Sequence, residues 1–125
     1  IPYSYYVTNK SKLKLLGVVA KEKGEKAVVP TEATVVDGTY FPLSRPIFIY
    51  VSKKAMERAE VKDFVDFYIK NAASIVKQVQ YIPLPEKAYK MAAEHVAKQK
   101  IGTVFASGAH IGIKIEDLMK KEATF

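Results

Sequence analysis

A chain of 125 residues with 49% hydrophobic and 26% charged residues has the composition of one globular unit, too short for two complete domains and neither disordered nor membrane-embedded by content. No apolar run approaches the ~20 residues that cross a bilayer, so any membrane attachment is expected outside this sequence. The net charge of +7 comes from 18 Lys and two Arg, Arg45 and Arg58, spread along the whole length. Dispersed lysines solvate helix faces, whereas nucleic-acid readers concentrate Arg and aromatics on one surface, so no nucleic-acid partner is expected. Cysteine is absent, which excludes disulfides and thiolate metal sites and leaves the compartment open.

The opening Ile1-Pro2-Tyr3 has no Met and no charged region leading into a hydrophobic signal core, which predicts that the natural amino terminus lies upstream. Tyr3 to Val7 is aromatic and β-branched and predicts an extended segment, closed by the turn residues Thr8, Asn9, Lys10 and Ser11. Residues 13–20 are nearly continuously apolar and predict a buried strand. The charged 21–26 run follows as a hairpin or loop, with Gly24 able to take positive φ. Pro30-Thr31-Glu32-Ala33-Thr34 predicts one helical turn capped by Thr31 and ended at Asp37-Gly38.

Pro42 and Pro46 hold Leu43-Ser44-Arg45 extended, because each removes a backbone donor and restricts the residue before it; residues 47–52 continue as a strand. The clearest helix runs from about Glu60 to Gln80. Val61, Phe64, Val65, Tyr68, Ala72, Ile75, Val76 and Val79 form its apolar stripe, and Lys62, Asp66, Lys70 and Lys77 its wet side. After Pro83 and Pro85 a second helix covers 86–100, with Tyr89, Ala92, Ala93 and Val96 facing inward. Residues 101–115, with Gly102, Gly108 and Gly112, read as strand and turn, and a short helix over 116–122 ends the chain. The order of elements is that of an α/β fold without internal repeat.

Gly38-Thr-Tyr-Phe-Pro-Leu-Ser-Arg-Pro-Ile-Phe-Ile-Tyr-Val51 closely resembles a segment of the PstS-type phosphate-binding proteins, where a Gly-x-Tyr-x-Pro-Leu-Ser-Arg-Pro run leads into an aromatic strand. Its flanks are similar too: Pro30 and Thr34 to Gly38 match that family's preceding turn, and Val61-Lys-Asp-Phe-Val-Asp-Phe-Tyr68 its following helix. Val79-Gln-Tyr-Ile-Pro-Leu-Pro85 resembles the family's Val-Gly-Tyr-Val-Pro-Leu-Pro, with Gln80 in place of glycine. Ile101-Gly-Thr-Val-Phe105 and Ile111-Gly-Ile113 look like the tail of a cyanobacterial-type branch. The set is specific to the family, although each piece alone is weak.

The resemblance implies part of one lobe of a two-lobed periplasmic binding-protein fold of type II. The chain would be its carboxy-terminal portion, completing the amino-terminal lobe from a crossing strand near Ile1 to Val7. It implies an exported, non-enzymatic protein on the outer side of the cytoplasmic membrane, which captures inorganic phosphate for an ABC transporter permease without a cofactor. The missing amino-terminal part of the same protein would be the first partner. Family phosphate contacts come from an early Gly-Ser-Ser/Thr-type loop, a following Ser and Asp, and a mid-chain Arg…Ser-Gly-Thr segment. None of these motifs appears in this sequence, so no family ligand carries over to a numbered residue. A binding protein for sulfate, molybdate or another oxyanion is the nearest rival, and a small basic nucleic-acid module the next.

Ser44 and Arg45 are the candidate anion contacts, a hydroxyl beside a guanidinium; against them stands a structural ion pair or backbone clamp for Arg45. Thr31 and Thr34 could hold an anion at a helix start, with capping the commoner use of such a threonine. Gly102-Thr103, Ser107-Gly108 and Gly112 lack the spacing of a phosphate loop or dinucleotide fingerprint and read as bends. His95 and His110 have no ordered carboxylate companion, so no metal site is expected, and no Ser or Thr sits at a nucleophile elbow. The eight Tyr and six Phe fall mostly at core positions rather than on a stacking surface.

Overall fold

Pro2 starts the first helix and two side chains finish it. The computed structural model describes residues 1–103 together with Phe105, Ile115 and Asp117. Helix α1 spans Tyr3–Thr8, where an extended crossing strand was expected. The Thr8 hydroxyl donates to the carbonyls of Ser4 and Tyr5, and the Asn9 amide also donates to the Tyr5 carbonyl at 2.9 Å. These bonds satisfy carbonyls that the end of a short helix leaves bare, and Tyr3 and Tyr6 stack one turn apart at 6.1 Å. Local capping thus outweighs the β propensity of the aromatic run.

Residues 13–20 are extended, as expected, but only Ala20 is buried; Leu16 and Val19 are exposed. The segment pairs back on itself through an antiparallel bridge, Val18 N–H to the Val28 carbonyl at 2.8 Å and Val28 N–H to the Val18 carbonyl at 2.9 Å. A single 3₁₀ turn at Lys21–Lys23 leads into Gly24 at φ +107°, the left-handed conformation expected of it. Gly17 lies against the returning strand: a Cβ there would stand 3.0 Å from the Ala27 Cβ.

Helix α2 spans Glu32–Val36, capped by Thr31 and stopped at Asp37, with Gly38 at φ +76°. After a turn at 40–43, where the Phe41-Pro42 peptide is cis, the chain runs extended through 44–52, exposed at every residue of 47–52. That run was expected to be a strand, but among the described residues nothing pairs beside it. An extended, β-branched run becomes a strand only when another lies beside it. The expected α/β arrangement is accordingly seen as helices, extended segments and one isolated bridge between described residues.

Helix α3 spans Ala59–Gln78, following a 3₁₀ turn at Ala55–Glu57, and α4 spans Glu86–Ala97. They pack on each other. Val65, 3% exposed, and Ala72 face inward from α3 and Ala88 from α4, each small enough for close approach. Burying a valine contributes about 1.5 kcal/mol or more, so this short seam is the main apolar contact of the helices. Phe64, Tyr68, Ile75 and Val79, expected on the buried stripe, are exposed, and so is Ala93; Ala88 takes the central place on α4. Among the described residues no helix is long and apolar enough to cross a membrane.

Both helices end the same way. Tyr81 N–H reaches the Val76 carbonyl and Gln80 N–H the Lys77 carbonyl, each at 3.0 Å. At the end of α4, Lys100 N–H reaches His95 and Gln99 N–H reaches Val96. These paired bonds form Schellman caps, and they place Gln80 at φ +59° and Gln99 at φ +49°. Between the helices the Leu84 N–H donates to the Tyr89 hydroxyl at 3.1 Å, tying the proline-flanked connection to α4. Of the tail, Gly102 has φ +100°, Asp117 is helical as expected, and Ile115 is helical where strand and turn were expected; what the sequence predicts for 104, 106–114, 116 and 118–125 lies outside the described residues.

Candidate functional site

The segment from Val29 to Ser44 holds both threonines and the serine proposed as anion contacts, and its hydroxyls are committed to the chain itself. The Thr31 hydroxyl accepts from the Thr34 N–H at 3.1 Å while Thr31 N–H donates to the Thr34 hydroxyl at 2.9 Å, a reciprocal capping box. The Thr34 hydroxyl also donates to the Val29 carbonyl at 2.8 Å. Asp37 accepts from the N–H and hydroxyl of Thr39 at 2.8 and 2.6 Å, and Tyr40 N–H returns to the Thr34 carbonyl at 2.7 Å. The Ser44 hydroxyl donates to the Tyr40 carbonyl, again at 2.7 Å and partly buried.

Each hydroxyl thus closes a turn instead of pointing at a cavity. The sequence pattern Thr…Asp-Gly-Thr-Tyr…Ser reads in space as a set of main-chain clamps shaping the path into residues 44–52. Arg45 extends to solvent, and among the described residues it makes neither the ion pair nor the backbone clamp that was its alternative role. The structure therefore does not bring Ser44 and Arg45 into one anion-binding fork.

Thr103 is the glycine-region residue with a defined partner. Its hydroxyl accepts from Phe105 N–H at 3.2 Å and lies 3.4 Å from the Tyr50 hydroxyl, while the Phe48 and Phe105 rings meet edge to face at 5.2 Å. Thr103 and Phe105 therefore lie beside Phe48 and Tyr50, which remain exposed. Ser107, Gly108, His110 and Gly112 lie outside the described residues.

His95 is half-buried on α4. Burial lowers its pKa below the ordinary value, with Lys100 and Lys98 pushing the same way against Glu94. Among the described residues no three His, Cys, Asp or Glu side chains come together as a metal site. The ion pairs Arg58–Glu60 at 2.6 Å, Glu86–Lys90 at 2.8 Å and Glu94–Lys98 at 3.4 Å are solvent-exposed. The Glu86 and Lys90 carboxylate and ammonium hold each other charged, the first with a lowered and the second with a raised pKa.

A polar cleft of about 440 Å³ opens between α1 and the end of α3, lined by Lys10, Glu32, Lys77, Gln80 and Tyr81. Its members come from residues 3–10, from Glu32 and from residues 77–83, a grouping that no spacing in the sequence discloses. With its charged groups exposed, it offers no desolvated, preorganised donors of the kind a tight anion site needs.

No family model matches. Protein SphX of Synechococcus elongatus is 48% identical over 120 residues, covering 96% of this chain and 35% of that protein. SphX of Synechocystis is 40% identical over 124 residues, covering 98% and 36%. The phosphate-binding protein PstS of Staphylococcus aureus is 39% identical over 89 residues, 70% of this chain and 26% of its own length. The chain belongs with the PstS-like phosphate-binding proteins. It spans about a third of the length of the curated relatives that match it over nearly all its residues. Its fold matches part of a crystal structure of a possible phosphate-binding protein from Planctomyces limnophilus, with a TM-score of 0.64 and 35% identity over 78% of this chain and 34% of the other. The PstS-like family and the cyanobacterial leaning expected from the sequence both stand.

Proposed function

We propose that this chain is the carboxy-terminal portion of an exported solute-binding protein that captures inorganic phosphate and hands it to an ABC transporter permease, with the two lobes closing on the anion and no covalent step. The observation that carries this reading is the 39% identity over 89 residues to a protein named for phosphate binding, supported by the fold match over 78% of this chain to a possible phosphate-binding protein. The chain's part in that activity is structural. A dehydrated phosphate needs helix amino-terminal N–H groups, hydroxyls, a bidentate Arg and an acceptor for its remaining proton. The hydroxyls of Thr31, Thr34 and Ser44 are spent on main-chain atoms, which supports phosphate contacts supplied by the rest of the protein.

A domain exchange tests the proposal. In a chimera of Staphylococcus aureus PstS carrying this chain's matching stretch in place of its own, phosphate binding is retained, because the exchanged stretch supplies scaffold and no ligand. A folded chimera that no longer binds phosphate would assign contacts to this chain and refute the scaffold role.

A further inference from the structure

Helix α3 carries two apolar stripes, and α4 covers one of them. Val65, Ile69, Ala72 and Val76 repeat at spacings of three and four and are buried or half-buried. Phe64, Tyr68, Asn71 and Ile75 repeat the same spacing one residue earlier, which turns them by about 100° around the helix. Phe67 widens this second stripe. Phe64 is 63% exposed and Phe67 57% exposed, with Tyr68 and Ile75 exposed beside them. Its polar member does not oppose cover, because the Asn71 amide donates to the Phe67 carbonyl within the helix at 2.8 Å. Glu60, four residues before Phe64, marks the amino-terminal end of this stripe and is exposed, paired with Arg58 at 2.6 Å; Lys62, Asp66 and Lys77 lie away from the stripe by the same periodicity, and Asp63 and Lys70 flank Phe67.

The run 47–51 is exposed at every residue. Phe48 and Tyr50 touch Phe105 and Thr103 yet stay 40% and 73% exposed, and Ile47, Ile49 and Val51 are exposed beside them. Among the described residues no main-chain hydrogen bond is made to residues 47–51.

We infer that the second stripe of α3 and the exposed run 47–51 are docking surfaces for the remaining two-thirds of a PstS-like chain, which adds a strand along 47–51 and lays apolar side chains over Phe64, Phe67, Tyr68 and Ile75. The identity of the occupant rests on the PstS-like reading above. Its size follows from the comparisons: relatives and the solved neighbour hold a segment like this one within chains about three times as long. A partner in the same polypeptide also meets these surfaces at a high effective concentration, which a second copy does not.

Hydroxyl-radical labelling of Phe64, Phe67 and Tyr68, with amide exchange at 47–51, tests this in the 125-residue chain and in a full-length protein that carries it, both without phosphate. In the chain alone the rings are labelled fast and the amides exchange freely; in the full-length protein both slow by about tenfold or more. Equal labelling in the two overturns the inference. So does a dimer of the chain alone, measured by light scattering, in which the rings are already protected, since that gives the surfaces to a second copy. Because no ligand is present, protection in a protein that then fails to bind phosphate would retain the docking surfaces and reject the phosphate reading.

Discussion

The Ser44 hydroxyl donates to the Tyr40 carbonyl at 2.7 Å across the turn that contains Phe41 and Pro42. The serine of the Leu-Ser-Arg-Pro signature is therefore a backbone clamp. Ser44→Ala is expected to cost about 1 kcal/mol in urea unfolding, the net value of one partly buried hydrogen bond. Phosphate affinity of the full-length protein should stay within about twofold, on the order of 0.4 kcal/mol. Arg45→Ala, at an exposed position, is expected to change stability by less than about 0.5 kcal/mol. Loss of phosphate binding by either folded variant would restore the anion-fork reading.

Gln80 and Gln99 hold left-handed conformations where glycine carries no Cβ penalty. Gln80→Gly and Gln99→Gly are each expected to stabilise the chain by about 0.5–1 kcal/mol, since the relief of strain exceeds the added entropy of the unfolded glycine. Thermal unfolding of both single variants checks this, and unchanged or lowered midpoints would contradict it.

His95 gives stability a pH dependence of defined sign. Its folded-state pKa is lowered, chiefly by burial, so folding favours the neutral ring. The contribution is complete above the unfolded value of 6.5 and is lost as pH falls through the lower folded-state pKa. The chain should therefore lose stability below pH 6.5 relative to His95→Gln. The carboxylates Glu60 and Glu86, also lowered, titrate below 4.5 and are common to both proteins. Parallel stability curves for the two would contradict the assignment.

Gly17 faces Ala27 so closely that its Cβ would stand 3.0 Å from the Ala27 Cβ. Gly17→Val is expected to push the two strands apart at a cost of about 1–3 kcal/mol and to speed amide exchange at Val18 and Val28. Unchanged protection at both amides would show that the hairpin absorbs the side chain.

How far the fold was legible depended on whether its cause was local. Thr31 as a cap, Gly24 at positive φ and the approximate span of α3 follow from neighbouring residues and are legible in the sequence. Tyr3 to Val7 misled because its β propensity was weighed without Thr8 and Asn9 bonding back to Ser4 and Tyr5. The stripe of α3 was read as one face because its two halves share a spacing and differ only by one residue of register. Which half lies inward is seen in the burial of Val65 and Ala72 beside the exposed Phe64 and Tyr68, which periodicity does not contain. The sequence favours a structural role for Arg45 over an anion fork with Ser44, but it does not disclose that the Tyr40 carbonyl, four residues back, accepts the Ser44 hydroxyl.

Isothermal titration of the full-length protein with phosphate and, separately, with sulfate tests the central claim most directly. A site with an acceptor for the phosphate proton admits protonated phosphate and rejects fully ionised sulfate. The account predicts saturable phosphate binding and no sulfate binding at the same concentrations. Sulfate binding without phosphate binding would contradict it.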